Sequence, residues 1–242
     1  MCIRDRLVAS VGDAYDQGST FARGVALVDL DYVIVADRIS LAAPSELDLS
    51  WRGRGTRTTR SDTTELQAYS WTSALRPALD LDVVSNAPLT FEDNPSLYAE
   101  SWNVEETIQG VLVGANTNEA AFISVFQIGA TSPRVVVSVG DANAAAARII
   151  DGVIEDSVVV PAVVGTQSIA ALGVATDGAL ALVRRDAAAL AAFCLQRGTT
   201  LMVDGDALVT ASGAITFCAT LQSDGGLVAE ISPDSPGLDV VI

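Results

Sequence analysis

The chain has no histidine and no lysine; its 14 basic residues are all arginine. Without histidine there can be no Ser-His-Asp triad, no Cys-His pair and no His-based zinc site. Cysteine is scarce too, and Cys2, Cys194 and Cys218 form no CxxC pair, so neither a zinc nor a redox motif is supported. No uninterrupted apolar run approaches the roughly 18 residues that a spanning helix needs, so no membrane insertion is expected. The longest candidate, Ile169 to Val183, is broken by Asp177.

What is present is acid. Thirty Asp and Glu residues give a net charge of -16 over 242 residues. Such a chain repels nucleic acid and anionic membrane surfaces, which makes both poor partners. Acid-rich, lysine-free surfaces suit salty water, although a GC-rich genome would also favour Arg over Lys. Half of the residues are hydrophobic, enough for a large core. Met1 to Arg6 (MCIRDR) has no apolar signal-peptide core and reads as a non-native leader ahead of residues 7–242.

The punctuation is that of antiparallel β structure. Asp151-Gly152, Asp177-Gly178, Asp204-Gly205, Ser212-Gly213 and Asp224-Gly225 supply the positive φ of tight turns. Between them, Leu201 to Val203, Ala207 to Thr210 and Ile215 to Cys218 read as successive strands of a C-terminal meander. Earlier, Arg23 to Asp29 and Tyr32 to Ile39 flank a turn at Leu30-Asp31. Phe122 to Ile128 and Arg134 to Val139 read as a hairpin. Leu79 to Val84 alternates apolar and acidic residues, which predicts Asp80 and Asp82 on one solvent face. Ala142 to Ile150 and Ala187 to Leu195 suit helices by propensity, but their length and neighbours favour β or turn. Pro161 to Gly165 marks a candidate seam. The expectation is an all-β antiparallel β-sandwich with a C-terminal β-meander. Cys194 and Cys218, in apolar strands, read as buried free thiols, with pairing in an oxidising compartment as the alternative.

Several segments, in order, resemble the C-terminal β domain of heparinase II/III-like polysaccharide lyases. They are Val11 to Tyr15, the run from Arg23 to Asp37, Leu47 to Trp51, Ala121 to Phe126, and Gly198-Thr199 with Leu201. The resemblance implies a sandwich that walls the substrate cleft and braces an upstream helical toroid carrying the catalytic groups. Elimination needs a base, an acid and neutralisation of the uronate carboxylate, so no residue of this chain is expected to be catalytic. Some family members hold a zinc in this domain. Here Asp37 stands beside Arg23 and Arg52 rather than histidines, so no metal and no cofactor is expected, and Asp37 reads as a salt-bridge or turn residue.

Trp51 to Arg60 (WRGRGTRTTR) holds four of the 14 arginines. Arg forks match carboxylates and sulfates, and an indole can stack on a sugar. Trp51, Arg52, Arg54, Arg57 and Arg23 are therefore the candidate substrate contacts, for an anionic polysaccharide; the competing reading is a solvated hairpin that neutralises neighbouring acids. Tyr15, Tyr32, Trp71 and Trp102 read as core before sugar platform. Glu105-Glu106 point to opposite faces if on a strand, which excludes an acid/base pair. Asp204-Gly205-Asp206 reads as a hairpin turn. The functional expectation is the accessory domain of a periplasmic or secreted lyase, with a carbohydrate-binding module or a structural β module as alternatives.

Overall fold

Short apolar runs separated by turn residues fold into two antiparallel sheets packed face to face. The computed structural model describes residues 3–4, 9–10, 20–29, 31–74, 76–94, 108–129, 134–140, 142–163, 172–233 and 239–241. The first sheet contains β1 (Ile3–Arg4), β2 (Ala9–Ser10), β3 (Thr20–Val28), β4 (Tyr32–Arg54), β5 (Thr56–Asp62), β6 (Leu66–Thr72), β7 (Leu79–Ser85), β8 (Thr90–Asn94) and β9 (Ile108–Ile128). Its order is β1-β3-β4-β9-β7-β6-β5, with β2 beside β3 and β8 beside β9. The second sheet contains β10 (Val135–Ser138), β11 (Ala144–Asp151), β12 (Ile154–Pro161), β13 (Val174–Thr176), β14 (Leu180–Asp186), β15 (Ala189–Val203), β16 (Asp206–Leu221), β17 (Leu227–Pro233) and β18 (Val240–Val241). It is a meander of order β10-β11-β12-β14-β15-β16-β17.

The core between the sheets explains the alanine-rich runs. Ala145 and Ala147 of β11 face the first sheet, packing in one cluster with Ile34, Ile123 and Val125. Ala144 and Ala146 point the other way, into a second cluster around Phe193, Leu201 and Phe217. A strand buried on both faces reads as an unbroken apolar run, and small side chains let the layers approach. Burial on both faces thus overrides helix propensity in β11, and Ala189 to Leu195 likewise lie within β15.

Several sequence expectations are corrected. Phe122 to Ile128 and Arg134 to Val139 are not a hairpin: β9 belongs to the first sheet and β10 to the second. The Gln127 side chain spans the change of sheet, its Oε1 accepting from the Arg134 N–H at 2.7 Å. The candidate seam at 161–165, which begins at the last residue of β12, lies only partly within the described residues. Ser212-Gly213 is no turn but lies within β16, where pairing with β15 slips between Gly198 and Thr200. Asp204 and Gly205, by contrast, make the expected tight turn, with φ of 53° and 93°.

Asp80 and Asp82 do share a face, but it is buried, not solvated. Arg60 reaches across from β5 to lie 3.5 Å from Asp80 and 3.0 Å from Asp82, so the acids are paired rather than wet. The cysteines are corrected too. Cys194 and Cys218 sit directly opposite in the β15–β16 register and form a disulfide, with Cα atoms 4.1 Å apart.

A polar knot joins the sheets at one margin. Asp156 of β12 is buried; it accepts a 2.5 Å bond from the Tyr32 hydroxyl of β4 and two bonds of 2.7 Å from the Arg184 guanidinium of β14. Arg184 also pairs with Asp29, in the turn after β3. Arg134 lies over the Tyr32 ring at 4.9 Å and bridges Asp31 and Asp151. Burial pushes the Asp156 carboxyl up to about 6, against the pull of Tyr32 and Arg134. A folded value above the unfolded one means that the fold binds this proton more tightly. The resulting stabilisation is full below about pH 4 and fades as pH rises through about 6. The melting midpoint is expected to drop by on the order of 5 °C between pH 4.5 and 7, and Asp156→Asn should flatten that slope. Calorimetry across this range checks it; an unchanged slope in the variant would assign the pH dependence to other acids.

Candidate functional site: a cleft at the bend of β4

The long strands β4 and β9 pair in two stretches. Ser40 pairs with Glu119 and Ser45 with Thr117, so Leu41 to Pro44 stand opposite Asn118 alone. Proline cannot donate to a ladder and is tolerated at such a break. Beyond it the second half of β4 turns Leu47 and Leu49 inward onto Tyr69, Trp71 and Leu81. Glu46, Asp48 and Ser50 are left on the outer face, as period-two alternation requires.

The looped-out segment and the start of β3 enclose an open cleft of about 720 Å³. Phe21, Arg23, Leu41, Pro44, Glu46 and Asp48 are among its lining residues. Arg23 is fixed from several sides. Its Nε and Nη2 donate to the two oxygens of Asp37 at 2.6 and 2.8 Å. Its guanidinium carbon lies 5.5 Å from the Phe21 ring centre and 5.3 Å from that of Trp51. Trp51 in turn packs edge-on against Phe126, with centroids 4.9 Å apart. Asp37 is fully buried, and burial raises its carboxyl while Arg23 lowers it. The Asp37 bond raises the Arg23 guanidinium further, so it stays charged. The result is a held cation and two exposed carboxylates in the lining of one cleft.

Of the residues singled out in the sequence, Arg23 lines this cleft and Trp51 packs against it. Asp37 is the expected salt-bridge residue. Arg52 is exposed and Arg54 half-buried, each engaged with neighbouring groups. Arg57 turns elsewhere: it donates to the Gly110 carbonyl at 2.9 Å, pairs with Asp93, and lies over the rings of Tyr69 and Phe91. Arg60 is committed to Asp80 and Asp82. Half of the arginine island therefore neutralises neighbouring acids. Tyr32 and Trp71 are core; Tyr15, Trp102 and Glu105-Glu106 lie outside the described residues. Phe21, Glu46 and Asp48 were not anticipated; the one local signal was Pro44 inside an otherwise strand-like run. No family model matches the chain, and no curated protein does.

Proposed function

We propose that this chain is a non-catalytic β-sandwich domain that contacts an anionic polysaccharide, the accessory part of a heparinase II/III-like lyase whose catalytic toroid lies on another stretch of chain. The observation that carries the reading is the Arg23 guanidinium, which lines an open cleft, is held by Asp37 and lies against the rings of Phe21 and Trp51. A uronate carboxylate fits such a planar donor set, an aromatic ring such as Phe21 suits packing against a sugar's C–H groups, and Glu46 and Asp48 can accept from sugar hydroxyls. The Cys194–Cys218 disulfide supports a periplasmic or secreted setting, where such bonds persist.

The test is affinity electrophoresis in gels containing alginate, heparin or a neutral glucan. Retardation by a uronate polymer but not by the glucan is expected, with no unsaturated uronate released. Phe21→Ala should weaken retardation about tenfold, in line with the loss of roughly 1 kcal/mol or more of aromatic contact. Because the whole chain is negative, its long-range field opposes the polymer, and binding should strengthen as salt rises from low to physiological ionic strength. Equal mobility in all three gels would sink the proposal.

A further inference from the structure

The edge strand β17 of the second sheet is exposed from Leu227 to Ser232. From Leu227 to Ser232 every residue of β17 (Leu-Val-Ala-Glu-Ile-Ser-Pro) is open to solvent, with Leu227 at 43%, Val228 at 60% and Ile231 at 47%. Among the described residues β17 pairs with β16 alone, in an unbroken register from Leu221–Leu227 to Ile215–Pro233. β18, the last described strand, pairs with β16 beside Thr210 and Ala211 and not with β17. Proteins blunt such edges with lysines, prolines, inward charges or bulges, and the one proline of β17 is its last residue, Pro233. β17 has no lysine, no bulge and one charge, Glu230, in a chain of net charge -16.

We propose that β17 pairs antiparallel with β17 of a second copy of this chain, joining two sheets across a two-fold axis through Ala229. The register follows from chemistry. Residues opposite one another in an antiparallel pair are of the same hydrogen-bonding kind, so the axis must pass through a residue. An axis at Glu230 sets two carboxylates face to face, which is destabilising. An axis at Ile231 brings Pro233, which cannot donate, into the ladder. An axis at Ala229 sets Leu227 against Ile231 twice, places Glu230 opposite Val228, and leaves Pro233 outside. The edge is therefore complementary to itself, as an isologous interface demands. Repulsion between two acidic chains is screened by salt, so the pairing is favoured at high ionic strength.

Sedimentation of the intact chain at about 10–100 µM, in about 0.05 M and about 1 M NaCl, tests this. The expected result is a monomer at low salt and a dimer at high salt. Val228→Lys with Ile231→Lys should abolish the dimer, while Val135→Lys with Val137→Lys on the opposite edge strand β10 should leave it. Under oxidation Ala229→Cys should cross-link at least tenfold faster than Glu230→Cys, with the unsubstituted chain as the control for Cys2. A monomer at all salts, a dimer sensitive only to the β10 substitutions, open-ended polymers, or faster cross-linking at position 230 would each overturn the proposal. None of these outcomes depends on glycan binding.

Discussion

Replacing Arg184 with alanine is expected to destabilise the sandwich by about 3–5 kcal/mol, because it leaves a buried carboxylate without its cation. Arg184 supplies two of the bonds to Asp156 and also holds Asp29 in the β3–β4 turn, so one guanidinium ties the second sheet to the first. Coulomb attraction is not the reason the loss is large. Taking both ions out of water is itself costly, and a buried pair returns little beyond that cost. The penalty comes from what is left behind. The same logic gives a second outcome: Arg184→Met combined with Asp156→Leu and Tyr32→Phe removes the buried groups that would be stranded, leaves only the part-exposed Asp29 without this cation, and should cost far less than Arg184→Ala alone. Urea denaturation of the single and triple variants measures both. If the triple variant is as unstable as the single, the knot is a net source of stability, and the argument from unpaired charge fails.

How far the sequence could anticipate this molecule depends on what carried the signal. Local chemistry was legible. Asp204-Gly205 demanded positive φ and received it, and strand-like composition on both sides of the turns gave the all-β class. Asp37 was readable as a salt-bridge partner because Arg23 opens the strand that must lie beside it. Features set by tertiary contact were not. The period-two pattern of Leu79 to Val84 says that Asp80 and Asp82 share a face, but it does not say which face is wet; Arg60, about twenty residues upstream, decides that. Nothing local shows that β9 and β10 belong to different sheets. Gly-Ala-Thr-Ser-Pro at 129–133 has the composition of a hairpin turn, and composition cannot distinguish a turn from a crossing. Ser212-Gly213 fails for a related reason, since a bulge and a turn draw on the same residues. The cleft escaped notice because it is made by four residues looping out of a strand, with Pro44 as the only mark.

The second large effect is expected at Trp71, where alanine should cost about 3–5 kcal/mol. Trp71 is buried, and its Nε1 donates to the Gln109 carbonyl at 2.8 Å. Gly53 and Gln109 are partners in the β4–β9 register. The indole of β6 thus lies across the last pairs of the two long strands and holds their second halves against β6 and β7. Gly53 has no side chain for this reason: a Cβ there would overlap the indole carbons Cγ, Cδ1 and Cδ2. Gly53→Ala should accordingly cost on the order of 1–3 kcal/mol as overpacking. In a Trp71→Ala background the obstruction is gone, and the same substitution should cost close to nothing. The two changes are in direct contact, so their non-additivity reads out the contact itself. A double-mutant cycle by denaturant unfolding measures it. Equal cost for Gly53→Ala in both backgrounds would mean that the glycine answers to the backbone and not to the ring, and the closure of the bent sheet would have to rest on Leu47, Leu49 and Val111 instead.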